Sequence, residues 1–424
     1  MQNTWMSNKL KEVTTKIGSG ATPRGGQSAY LDEGIPLIRS LNIYDLQFSY
    51  ADLAFINDEQ ARRLSNVTVE KDDVLLNITG ASVCRCTSVP DSLVPARVNQ
   101  HVAIIRADRK QLDGKYLKYV LVSPLYKRAL LGLATTGATR EALTKSDLEN
   151  LELKLPEIKS QSRIASVLSA YDDLIENNEK RIKILEEMAQ RLYTEWFVKF
   201  KFPGHEKVKM VESGTQYGKI PEGWEVRRLG DITSVITKGT TPTTMKKSFV
   251  EKGINFIKIE SVGDNGEIME DKLAKIDQDT HDLLSRSQLQ SGDVLFSIAG
   301  AIGRTTLITP KLLPANTNQA LAIIRSKEEE YGLYLYQVIS SLDFLNLCKG
   351  RVVQTAQANV SLSVLASVLI LFPDIKELIV YNKVISPIFE MISKMRGEIR
   401  ILEKTRDLLI PLLVTGKREL KCCT

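Results

Sequence analysis

Two stretches of the chain carry apolar residues at steps that alternate between four and three. In the first, Ile164, Leu168, Tyr171, Ile175, Ile182, Leu185, Ala189, Leu192 and Trp196 form a heptad seam that only Asn178 interrupts. In the second, Tyr381, Ile385, Ile388, Ile392, Met395, Ile399, Leu402, Leu409 and Leu413 repeat it 217 residues later, with Arg406 as the exception. Two helices with matching seams in one chain most simply pair as an antiparallel coiled coil. The 33 residues from Ile164 to Trp196 would run about 50 Å as helix. That is long for a helix that only covers the core of one small domain, the alternative that stays open. Pro387 inside the second seam predicts a kink or a late helix start.

Outside the seams the patterns are mixed. VAIIRA (102–107) and DVLLNI (73–78) read as short strands bounded by Gly, Pro and Asn. GKYLKYVLVSPLYKRAL and YGLYLYQVISSLDFLNL have helical spacing. The two element types do not alternate regularly, so the expected class is α+β.

The chain is also written twice. Displaced by 219 residues, Trp5 falls on Trp224, Leu10 on Leu229, and IGSGATP (17–23) on ITKGTTP (236–242). Gly34-Ile35 with Leu37-Ile38-Arg39 falls on Gly253-Ile254 with Phe256-Ile257-Lys258. With one residue of slip, DDVLL and TGA at 72–81 answer GDVLF and AGA at 292–301. VPARVNQHVAIIRA (94–107) then matches LPANTNQALAIIRS (313–326). The expected organisation is a globular domain at 1–156, a helix and linker start at 157–205, a second globular domain at 206–373 and a second helix at 374–424. A Pro-Gly-rich linker from Phe202 to Trp224 joins the first helix to the second domain.

Composition changes this picture little. The 424 residues are 43% hydrophobic and 25% charged, with a net charge of +6, a balance that permits a polyanionic partner without requiring one. Cys84, Cys86, Cys348, Cys422 and Cys423 have neither disulfide nor zinc spacing, and reduced thiols are expected. The N-terminus lacks a signal-peptide core and no apolar run approaches 18 residues, so a cytoplasmic protein without a membrane role is expected.

Particular strings add a family. The duplicated halves, the paired long helices, ITKGTTP, the VNQH and TNQA segments, LYTEWFVKFKFPGHE followed by GKIPEGWEVRRLGDI, and the ending LLVTGKREL together resemble type I restriction-modification specificity subunits. The resemblance covers essentially the whole chain, and the central string is its most specific part. It implies two target-recognition domains, each reading one part of a split site in double-stranded DNA, with the helices as spacer. It further implies two methyltransferase subunits that use S-adenosylmethionine to methylate adenine. ATP- and Mg-dependent restriction subunits, up to two, would be an optional addition. No cofactor is expected in this chain itself. The second tail departs from the family pattern: a more hydrophobic run at 374–384 stands where the first has QSRIA (161–165).

The chemistry-bearing motifs of those partners are missing from the sequence. It contains no Pro-Pro pair for a base-holding methyltransferase motif, and Gly416-Lys417 runs into Arg418 rather than the Ser or Thr of a phosphate loop. Glu152-x-Lys154 and Glu157-x-Lys159 have nuclease-like spacing, but such triplets arise freely in a charged chain. His101, His205 and His281 stand in unrelated contexts. The expectation is a binding protein. Its rivals are a targeting subunit for one enzyme that both cuts and methylates, a coiled-coil scaffold with two protein-binding heads, and a free-standing nuclease.

The repeat also sorts candidate DNA-binding residues. If the halves read different sequences, base readers should differ between them, and shared residues should serve the fold or phosphate contact. Shared Asn99-Gln100 and Asn318-Gln319 suit the loop itself or the DNA backbone, and Arg39 and Lys258 suit phosphate. Differing positions are Arg24 and Gln27 against Thr243 and Lys246, Arg97 against Asn316, and Arg140 against Gln357. Arg85 and Arg304 complete the set as approximate counterparts. Arg reading guanine, or Gln and Asn reading adenine, would supply the choice.

Overall fold

The apolar runs at 102–107 and 321–326 become the second strands of two matching antiparallel sheets. The structure, a computed structural model, describes residues 5–135, 141–350 and 359–420. Its contacts divide the chain into two compact units, Met1–Arg181 with Met395–Thr424, and Ile182–Lys394.

In the first unit a four-stranded sheet runs Thr14–Ser19, Val102–Ala107, Val74–Asn77, Cys86–Ser88, every pair antiparallel. Alternation along its strands explains the nearly continuous apolar runs. Val74, Leu76, Ala103 and Ile105 face one core with Tyr116, Leu117 and Val120 of the helix Gly114–Val122. Leu75, Val102 and Ile104 face a second core. That core is shared with a sheet ordered Ala54–Ile56, Ile35–Ile38, Ala96–Val98, Thr68–Val69, in which Ile35–Ile38 and Ala96–Val98 run parallel. Asp73, fully buried, pairs through both oxygens with Arg106 at 2.8 Å and ties the turn before its strand to the sheet.

The second unit repeats the plan. Its antiparallel sheet runs Thr233–Lys238, Leu321–Ser326, Val294–Ser297, Thr305–Leu307. Its companion sheet joins Ala274–Ile276, Ile254–Ile257 and Ala315–Thr317, the last two again parallel. Even the register irregularity recurs, between Thr14 and Lys16 and between Thr233 and Val235. Asp293 and Arg325 reproduce the buried ion pair at 2.7 Å.

Both long helices form: a central helix, Ile158–Tyr193, and a C-terminal helix, Ile375–Val414. In the first unit Ile164 and Leu168 share a core with Ile410 and Leu413, while Asn178 donates to Glu398 at 3.4 Å. Numbers rise on one helix as they fall on the other, so the pair is antiparallel. Both exceptions to the seam find partners here. Asn178 has Glu398, and Arg406 donates to Asp172 at 2.9 Å.

Two expectations are corrected. The C-terminal helix starts at Ile375 and continues through Pro387, so there is no late start. Proline removes one donor at a cost of about 3 kcal/mol. Burial of Tyr381 and Ile385 before it, and of Ile392 and Met395 after it, outweighs that loss. Second, the stretch after the central helix is not a loose linker. Phe202 and Trp224 are buried and stacked with centroids 5.1 Å apart, and a hairpin pairs Met210–Glu212 with Lys219–Pro221.

The departure at 374–384 also has a physical reason. Gln161, 1% exposed, accepts from the Asp113 N–H at 3.0 Å and donates to the Gln111 and Pro156 carbonyls, pinning the start of the central helix to the first unit. At the equivalent position the second unit has Leu378, fully buried among Trp196, Tyr381 and Leu365. A polar anchor has been replaced by apolar packing.

Candidate DNA interface

The two most recognisable shared strings meet in space in each unit. In the first, the Gly20 N–H donates to the Val102 carbonyl at 2.9 Å and Ala21 N–H to Val98 at 3.0 Å. Thr22 donates to Gln100. In the second, Gly239 and Thr240 donate to Leu321 and Thr317, and Thr241 to Gln319. Glycine is required at this crossing. A Cβ on Gly20 would lie 2.0 Å from the Val98 carbonyl oxygen, and one on Gly239 2.0 Å from that of Thr317. Asn99 and Asn318 accept from the backbone N–H two residues on, at 3.2 and 3.3 Å, and so shape their own turns.

Further loops join this cluster in the first unit. The Asn99 N–H donates to Ile38, beside Arg39. Asn77 donates to the Ser40 carbonyl at 2.9 Å, and the Ile78 N–H to His101. Arg39 lies over the Tyr30 ring at 5.2 Å and donates to the Asp52 carbonyl. Its counterpart Lys258 lies over Phe249 at 4.2 Å. Each cation is therefore braced on an aromatic face at the same place in its fold.

Beyond the shared proline the backbones part. Gly25 and Gly26 take positive φ and lead into a short 3-10 turn, whereas Pro242 opens such a turn directly and Lys246 takes the positive φ. Arg24, Gln27, Thr243 and Lys246 are all exposed on these divergent loops.

The pair Arg97 and Asn316 is corrected. Both stand at one strand position, opposite Leu37 and Phe256 respectively. Arg97 donates through Nε to the Ala61 carbonyl and through Nη1 to that of Ala96, both at 3.0 Å. Burial lowers its pKa from the usual guanidinium value. Asn316 is fully buried and donates to the Leu284 carbonyl and Ser287 hydroxyl at 3.1 Å, with His281 against its oxygen. In both units the position staples the same short helix, Asp58–Arg63 or Gln278–Leu283. Asn316 offers DNA no surface, and the difference between the two residues is one of packing. Arg140 and Gln357 lie outside the described residues.

Sequence reasoning missed the Asp73–Arg106 and Asp293–Arg325 pairs, although all four residues recur in the aligned strings. It also missed Tyr44 and Tyr50, exposed aromatic side chains of the first unit. Cys84, Cys86 and Cys348 are buried free thiols, and burial pushes Cys84 up to about 11. Among the described residues no group of three or more His, Cys, Asp and Glu could hold a metal, and no helix is long and apolar enough to cross a membrane.

One α+β module built twice, with the same loop cluster assembled in each copy, defines a duplicated binding protein. Residues 2–187 and 221–404 each match the type I restriction modification DNA specificity domain, and the chain belongs to that family. The MjaIX type I restriction enzyme specificity subunit of Methanocaldococcus jannaschii is 26% identical over 97% of this chain and 93% of its own length. The MjaVIII specificity subunit of the same organism is 25% identical over 88% of this chain and 87% of its own. A crystal structure of the S subunit of a type I restriction-modification system from M. genitalium shares the fold at a TM-score of 0.63. It covers 97% of this chain and 96% of that one at 15% identity. The chain is thus a type I specificity subunit carrying two DNA-recognition domains.

Proposed function

We propose that this chain is the non-catalytic reader of a bipartite site in double-stranded DNA. The module at 1–156 reads one part and the module at 206–373 the other. The long helices fix the gap between the parts and seat two methyltransferase subunits, which restriction subunits can join. The observation that carries this reading is the division of labour within each loop cluster. Shared residues such as Gly20, Asn99, Gly239 and Asn318 hold the loops together, while Arg24, Gln27, Thr243 and Lys246 differ and are exposed. Arg39 and Lys258, alike in charge and bracing, suit phosphate, which positions a protein without reading sequence. Chemistry falls to the partners: S-adenosylmethionine for adenine methylation, and ATP with Mg for restriction.

The test is methylation mapping in cells that express this chain with its methyltransferase partner. Two short specified parts separated by an unspecified gap of fixed length are expected, with loss of methylation when this chain is omitted. A continuous motif, or methylation by the purified chain alone, overturns the reading.

A further inference from the structure

Arg85 and Arg304 occupy equivalent places. The carbonyl of Arg85 accepts from the Asn77 N–H at 2.9 Å, and that of Arg304 from the Ser297 N–H at 2.8 Å. Each stands just before a short strand, Cys86–Ser88 or Thr305–Leu307. Their side chains are in opposite states. Arg304 is closed: Nε and Nη2 meet Asp264 at 2.7 and 2.6 Å, and Nη1 donates to the Val262 carbonyl at 3.0 Å. Arg85 is open. Its guanidinium lies 4.7 Å from the centre of the Tyr44 ring, and among the described residues it has no carboxylate partner.

The cause is a third residue. Asp45 stands where the second unit has Asp264, yet it does not clamp Arg85. One oxygen accepts from the Cys86 N–H at 3.2 Å, and the other is paired with Lys127. At the position of Lys127 the second unit has Asn346, which carries no charge to draw the aspartate away. Lys127 thus frees the guanidinium that Asp264 holds in the other half.

We infer that Arg85, stacked on Tyr44 and released by Lys127, reads a guanine in the first half-site, and that Arg304 has no such role in the second. The inference rests on the bipartite reading proposed above. A guanidinium fork matches the O6 and N7 acceptors of guanine in the major groove, and stacking on an aromatic ring fixes its plane in advance. A phosphate contact would be expected in both halves, since backbone contacts carry no sequence information. Here the fork is available in one half only.

The experiment measures binding of the intact chain with its methyltransferase partner to every single-base variant of its mapped site. Three variants are compared with the parent, after melting curves establish that they are folded. R85K keeps the charge and loses the fork. K127N gives Asp45 back to Arg85 without altering it. R304K is the control in the other half. At one G·C pair of the first half-site, R85K and K127N should each lower the preference for guanine by about tenfold or more, the usual range for a bidentate contact. Other positions should keep their preferences, and R304K should keep all of them. Uniform weakening with a shallower salt dependence makes Arg85 a phosphate contact and overturns the inference. So does unchanged preference in R85K, or a first half-site without a G·C pair. If the parent complex has no split site at all, the underlying bipartite reading fails instead.

Discussion

Asp172 anchors a buried charge network, and replacing it with asparagine should destabilise the first unit by about 3 kcal/mol. Its Oδ2 accepts from Lys118 at 2.8 Å and from the Tyr119 hydroxyl, and its Oδ1 accepts from Arg406 at 2.9 Å. The three charged side chains are only 8%, 17% and 11% exposed for Lys118, Asp172 and Arg406. Two ion pairs with charges about 4 Å apart, at an effective dielectric near 20, are each worth about 4 kcal/mol before desolvation. An asparagine in its place would keep the shape and lose both attractions, leaving two cations against each other. Arg406 recovers part through Asp407, which is exposed, so the lower end of the usual range of about 3–5 kcal/mol applies. For a unit of this size that is a fall in melting temperature of about 6–12 °C. Hydrogen exchange should rise in 158–181 and 395–414 more than in 182–394. Replacing Lys118, Asp172 and Arg406 together by Met, Leu and Met should recover much of the loss, because no charge is then left buried. A single D172N variant melting within about 1 kcal/mol of the parent would refute this account of the seam's polar exceptions.

Other predictions are local. G20A should cost about 1–3 kcal/mol by forcing the loop off the Val98 and Asn99 carbonyls. It should also abolish recognition of the first half-site while sparing the second, read by methylation mapping. R97A should lower stability by about 1–2 kcal/mol through its lost hydrogen bonds to Ala61 and Ala96 and leave the methylated sequence unchanged; a relaxed base preference would restore Arg97 as a reader. Glu179 has its pKa raised by burial and then by Glu403 and Glu176. Its ionised form is therefore disfavoured in the folded state: the relative advantage present below the ordinary carboxylate pKa is lost as pH rises through the raised value. E179Q should stabilise slightly at pH 7, by less than about 1 kcal/mol given its solvent exposure. Denaturation at pH 4 should show that gain shrinking, and a gain independent of pH would contradict it.

Much of the architecture was legible because period and repetition reinforce each other. The heptads at 164–196 and 381–413 give two helices, and the 219-residue displacement aligns the sheets strand for strand. What stayed hidden depends on three-dimensional neighbours. Arg406 breaks the seam in sequence, and only the fold supplies Asp172 and Lys118. Asn316 differs from Arg97 as a base reader should, yet the position faces a helix rather than solvent. A difference between halves therefore marks specificity only where the side chain is exposed, and exposure cannot be read from one repeat laid over another. Arg85 and Arg304 show the converse: nearly identical in sequence context, they differ because Lys127 is on a separate helix, Pro124–Thr135.

The central claim is that each module reads its own part of the site, and a module exchange tests it most directly. Residues 1–156 are replaced by the corresponding block of a related specificity subunit. The chimera is expressed with the methyltransferase partner, and methylated adenines are mapped. The account predicts that the first part of the motif changes to that of the donor while the second part and the gap persist. If both parts change together, or neither does in an active complex, recognition is not divided between the two modules.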